Sequence, residues 1–114
     1  MVADIAKAEL HCHIEGAASP ELVRRVAARH GIDLSGLFDV EGAFAWHDFT
    51  SFLNAYDRAA AVFRTPEDYR DLAFSYFTSL AAEGAIYGEV FISSDHALAS
   101  GLTYRDYVEG LAEG

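Results

Sequence analysis

Apolar and polar positions alternate along residues 8–14, the pattern of a β-strand whose successive side chains point to opposite faces. Leu10, Cys12 and Ile14 then share one face, and Glu9, His11, His13 and Glu15 the other. Gly16 ends the run where the chain must turn. Beyond it the period becomes helical. Ser19-Pro20-Glu21 combines a capping hydroxyl, a proline suited to the first helical position and an acid at the positive end of the dipole. Leu22, Val23, Val26 and Ala27 form one stripe before Gly31, which predicts a helix over 20–30. Asp48 caps a second helix over 48–63, with Phe49, Phe52, Leu53, Tyr56, Ala59, Ala60 and Phe63 in register. Thr65-Pro66-Glu67-Asp68 opens a third over 65–83, whose apolar face carries Tyr69, Leu72, Ala73, Tyr76, Phe77, Leu80 and Ala81. A second strand follows at 85–92, with Ile86, Val90 and Ile92 facing one way and Tyr87, Glu89 and Phe91 the other. Thr103 caps a last helix over 103–112, with Tyr104, Val108 and Leu111 on one face.

Strand, helices, strand and helix in that order describe an α/β protein. Two strands joined by so long a helical crossover are expected to pair in parallel. Residues 32–46 show no period, yet Leu34, Leu37, Phe38, Val40, Phe44 and Trp46 are too apolar for a free linker. A packed connection with one short helical turn is expected there. Glu89 inside an apolar strand requires a partner, either an ion pair or hydrogen bond in the interior, or a histidine that it orients. Asp95 and His96 are expected in a loop at the surface or rim, while His30 and His47 at helix boundaries read as structural.

Composition narrows the function classes. The net charge of −10, from 18 acidic and 8 basic residues, disfavours nucleic acid, whose phosphates need clustered cations. No apolar run approaches the roughly 20 residues that span a bilayer, and no signal peptide is read at the N-terminus. The single Cys12 cannot form an intrachain disulfide, which fits a cytoplasmic setting. Its parity sets it opposite the histidines, as a small apolar residue.

His11 and His13 in step on one strand face are what a metal needs, two neutral nitrogens converging on a point. A bare His-X-His equally fits a half-exposed strand with two incidental histidines. The longer run Lys7-Ala8-Glu9-Leu10-His11-Cys12-His13-Ile14-Glu15-Gly16 resembles the opening motif of the adenosine deaminase family. The helix start at residues 49–56 and Glu83-Gly84-Ala85-Ile86-Tyr87-Gly88-Glu89-Val90 also resemble that family, in family order. The resemblance implies a zinc-dependent (β/α)8 barrel that hydrolyses the 6-amino group of purines. It makes His11 and His13 zinc ligands, with His13 also facing the substrate, and sets Glu15 against the ribose or the base. Phe49, Phe52, Leu53 and Tyr56 would wall the purine pocket, and the region around 32–46 would lie over the barrel mouth.

The substrate implied is a purine nucleoside, adenosine, and Glu15 in place of the family's usual Asp makes adenine or another 6-aminopurine the alternative. A barrel of this type runs to about 250 residues, so these 114 are expected to be its N-terminal part, inactive alone because later strands supply the remaining ligands. Its apolar faces would be covered by the rest of the barrel or by a second copy. A small, mainly helical interaction module with an incidental His-X-His is the reading from another class.

Overall fold

Two strands, β1 (Lys7–His13) and β2 (Ala85–Phe91), hydrogen-bond in parallel in the computed structural model, which describes residues 4–114. A parallel pair needs a long crossover. Here it comprises α1 (Pro20–His30), an irregular connection, α2 (Phe49–Ala60) and α3 (Pro66–Ala82). After β2 come a short α4 (Asp95–Ala99) and α5 (Tyr104–Glu113). The helix starts follow the side-chain chemistry. Ser19 Oγ accepts from Leu22 N, while Asp48 with Ser51 and Thr65 with Asp68 form reciprocal capping boxes. Gly31 ends α1 in the left-handed region at φ 67°.

Strand register departs from simple alternation. Glu9 pairs with Gly88 and Cys12 with Val90, so three steps of β1 are matched by two of β2, a bulge. The bulge moves Glu9 off the histidine face. Paired with Gly88, it lies with Cys12 on the side toward α3, because a Cβ on Gly88 would touch Phe77 and Leu80 of that helix. There, burial first, then Cys12 and Glu9, push the pKa of the Tyr76 hydroxyl of α3 well above the usual phenol range. β1 also stops at His13. Ile14–Ala17 turn as a single 3-10 unit instead of continuing the strand, and both Ile14 and Glu15 are buried there.

The core lies between α1, α3 and the segments that follow them. Leu22, Val23, Val26 and Ala27 of α1 pack with Phe63, Tyr69 and Leu72, and Leu37 of the connection joins them. The connection forms no helical turn. It folds as turns closed by an isolated bridge between Phe38 and Phe44, with the Arg24 guanidinium 4.0 Å from the Phe38 ring centre. On α2 the small Ala55, Ala59 and Ala60 are buried while Phe49, Phe52 and Leu53 are exposed. Phe63 falls beyond that helix and is buried in the turn. Asp95–Ala99 is a helix, not a loop, and Glu89 is exposed on a sheet face that this chain does not cover. On α5 Tyr107 is buried while Tyr104 faces out.

One buried carboxylate ties α1 to α3. Asp68 Oδ1 accepts from Arg29 at 2.5 Å, and Oδ2 meets His30 Nε2 at 2.6 Å and accepts from the backbone of Arg64 and Thr65. His30 is thus structural, as expected, while His47 is exposed beside Asp48. Burial alone would raise the Asp68 pKa, but the Arg64 amide, His30 and Arg29 outweigh it and hold it below the usual carboxylate value. At the same end of α3, α5 comes close because residue 110 is glycine. A Cβ there would collide with the backbone of Pro66.

Asp68→Ala should therefore cost about 3 kcal/mol or more, since it leaves Arg29 and His30 facing an empty site. A depressed folded pKa contributes stability above the unfolded value and loses it on acidification. The gap between native chain and variant in urea unfolding should be full above about pH 4 and shrink as the pH falls below it. A gap that widens in acid would contradict this assignment. Gly110→Ala separates two effects: helix propensity favours alanine by about 1 kcal/mol, and overpacking against rigid backbone costs about 1–3 kcal/mol. Backbone cannot step aside as a side chain can, so net destabilisation is expected in the same assay.

Candidate active site

The functional side chains collect where β1 ends. His11 and His13 project on one face with Phe91 of β2 set against both rings. The imidazole centres are 5.5 Å apart, and His13 stacks on Phe91 at 5.3 Å with 23° between planes. Both histidines are exposed, and among the described residues neither ring makes a hydrogen bond or ion pair. No set of three or more potential metal ligands occurs among the described residues. Two accessible imidazoles on one strand suit a metal such as zinc chemically, and they make half of a site.

Glu15 stands differently from the expectation that it shares the strand face. The 3-10 turn carries it inward to 2% exposure. Its Oε1 accepts from the Tyr107 hydroxyl, and that hydroxyl in turn accepts from Ser93 N at 3.0 Å. Its Oε2 is buried without a partner among the described residues. Burial first, then the hydrogen bond and charge of Glu15, push the Tyr107 pKa far above the phenol range, so the hydroxyl keeps its proton. Tyr107 stands edge-on to Tyr69 at 4.8 Å, and burial together with the Glu15 charge raises Tyr69 as well.

A cleft of about 550 Å³ opens beside these groups. Cys12, His13, Glu15 and Gly16 line it from the strand end, and Phe52, Leu53 and Tyr56 from α2. Phe44 and Trp46 of the irregular connection complete the apolar wall, with Trp46 edge-on to Phe52 at 5.3 Å. Gly16 lets Tyr56 close in, since a Cβ there would lie 3.0 Å from its ring. His96 sits at the rim, 3.2 Å from Asp57 and edge-on to Tyr56. An apolar slot with one carboxylate at its base suits a flat heteroaromatic ligand that offers an N–H donor.

Of the residues singled out from sequence, His13, Glu15, Phe52, Leu53 and Tyr56 come together around the cleft. His11 lies beside His13 but does not line it, and Phe49, 72% exposed, is outside it. Tyr107 was missed, although its spacing from Leu111 puts it on the inward stripe of α5. Phe44 and Trp46 had no periodicity to mark them.

A histidine pair at the end of the first of two parallel strands, above an apolar cleft, is the arrangement of an amidohydrolase barrel at its active end. The family model for adenosine deaminase matches residues 6–114, and the chain belongs to that family. It is 59% identical over 108 residues to an adenine deaminase of Mesorhizobium japonicum, a match covering 95% of this chain and 33% of the relative. It is 58% identical over 110 residues to an adenine deaminase of Chelativorans sp., covering 96% and 34%. In solved structures it resembles the adenine deaminase of Arthrobacter aurescens, at TM-score 0.76 and 31% identity over 92% of this chain and 33% of that one. An amidohydrolase of Burkholderia ambifaria with bound Zn shares the fold, at TM-score 0.76 and 22% identity over 98% and 31%. The chain spans about a third of the length of these relatives and forms the N-terminal part of such a barrel.

Proposed function

We propose that this chain is the N-terminal third of a zinc-dependent adenine deaminase, which hydrolyses the 6-amino group of adenine and releases ammonia. The observation that supports the substrate choice is the buried Glu15, whose Oε2 has no partner among the described residues and which lines the apolar cleft. A buried acceptor without a donor costs about 1–3 kcal/mol, so the site is completed by a ligand donor. Adenine offers an N–H on its five-membered ring that can meet this oxygen directly, whereas a nucleoside carries ribose and its hydroxyls there. Relatives named adenine deaminase support the same choice over the adenosine first implied by the motif.

His11 and His13 would hold the zinc, and a catalytic zinc takes three protein ligands, so the rest of the barrel contributes the others. Bound zinc would supply Lewis acidity for hydrolysis of the exocyclic C–N bond that holds the 6-amino group. Phe52, Leu53 and Tyr56 hold the purine flat and keep bulk water from it, while His13 and Glu15 orient its edge. Among the described residues no helix is long and apolar enough to cross a membrane, and the acidic charge argues against nucleic acid as a partner. We place the enzyme in the cytoplasm, in keeping with its single cysteine.

The test is a chimera in which this chain replaces the matching third of the Mesorhizobium japonicum relative. It should deaminate adenine with kcat/KM about a hundredfold or more above adenosine, since a site built to bind an N–H rejects ligands lacking it. Equal use of both substrates would refute the base preference. In the chimera His11→Ala and His13→Ala should each lose zinc, read by elemental analysis, together with activity. Zinc retained in both variants would move the metal elsewhere.

Taken alone, the chain leaves Leu10, Ile86, Tyr87 and Phe91 of the sheet exposed. An apolar face and two open strand edges invite a covering partner, which in the enzyme is the remainder of the barrel. The isolated chain should therefore sediment as an oligomer at micromolar concentration. A folded, non-associating monomer would favour a self-sufficient interaction module.

A further inference from the structure

We propose that Tyr107 is a positioning residue for Glu15, fixing which carboxylate oxygen meets the substrate and so setting the preference for a free base. The proposal rests on the adenine deaminase reading and adds a residue that does not itself line the cleft.

A glutamate side chain has three torsions, and Glu15 is buried on a one-turn 3-10 segment instead of a long element. Its recorded side-chain partner is Tyr107, 92 residues further along the chain. The direction of that bond is determined by the hydroxyl's other contact. A hydroxyl has one proton, and here its oxygen already accepts from Ser93 N, so the proton goes to Glu15 Oε1. Oε1 is thereby committed and Oε2 is left for a ligand donor.

Tyr107 is itself held rigidly. It is fully buried, its ring meets Tyr69 at 87°, and Gly110 one turn later lets α5 reach the backbone of Pro66. Ser93 lies two residues past β2, and Glu15 two residues past β1, so one hydroxyl joins the C-terminal ends of both strands. Those ends carry the active site in barrels of this kind.

The experiment uses the chimera described above. Tyr107→Phe keeps the ring and removes the hydroxyl. KM for adenine should rise about tenfold, the scale of one lost charge-assisted hydrogen bond, while kcat changes little. Zinc content should stay unchanged. Glu15→Gln supplies the sharper readout. With Tyr107 in place, the carboxamide oxygen must face the hydroxyl and its NH2 must face the ligand, so a donor meets a donor and KM rises. In the Glu15→Gln, Tyr107→Phe double variant the amide is free to turn its oxygen to the ligand, and KM should fall again. The same Tyr107→Phe change thus raises KM in one background and lowers it in the other.

A residue that only supports the fold would raise KM in both, and that outcome overturns the proposal, as does an unchanged KM in Tyr107→Phe. If Tyr107→Phe does not fold by thermal melting, the single Glu15→Gln variant decides: an unchanged KM there refutes the committed orientation. A parent chimera that turns over another 6-aminopurine but not adenine refutes the substrate reading alone, and the sign reversal is then read on that purine.

Discussion

Parallel pairing of β1 with β2 is the constraint on which the rest of this structure depends. Parallel strands cannot be closed by a tight turn, so α1, the irregular connection, α2 and α3 must all lie between them. The same pairing sets His13 opposite Phe91 and brings both strand ends to one side of the molecule. The bulge between Glu9 and Cys12 then divides the polar residues of β1. Glu9 turns toward α3 with Cys12, and the two histidines remain together on the open face. A strand without the bulge would have crowded Glu9, His11 and His13 on one side.

Two buried carboxylates show how burial separates structure from function. Asp68 has both oxygens occupied, by Arg29, by His30 and by the amides of Arg64 and Thr65, and it fastens α1 to α3. Glu15 has one oxygen held by Tyr107 and the other unclaimed. Burying a charge is costly unless its hydrogen-bonding capacity is met. Asp68 meets it within the chain, and Glu15 leaves half of it open beside an apolar cleft. That contrast, more than the presence of an acid at either position, separates Glu15 from a carboxylate satisfied within the fold.

Exposure of the strand faces follows from the same architecture. Ile86, Tyr87 and Phe91 are apolar in a region that this chain alone does not cover, whereas Leu22, Val23 and Val26 on α1 are fully enclosed. Helices on the outside of a barrel find their packing partners among near neighbours in sequence. The inner face of a (β/α)8 barrel is completed by its other strands.

Local chemistry made much of this fold legible from the residues in order. Ser19, Asp48 and Thr65 offer capping oxygens, Pro20 and Pro66 preset the first helical turn, and Gly31 adopts the left-handed cap. Each acts within about one turn of the chain, so its effect can be read without knowing what lies across the core. The His-X-His pair and the α2 residues around the cleft were legible because period and motif both pointed to them. What tertiary structure alone decided was everything set by contacts distant in sequence. The bulge arises from register against β2, the inward turn of Glu15 from the end of pairing at His13, and its anchoring from a tyrosine 92 residues away. Phe49 fits the helical stripe yet stays outside the cleft, and Trp46 reaches it from a segment with no period at all. Periodicity reports which side chains share a face of one element. Which face meets which other element is decided by how the elements pack, and that information resides in no local stretch of the chain.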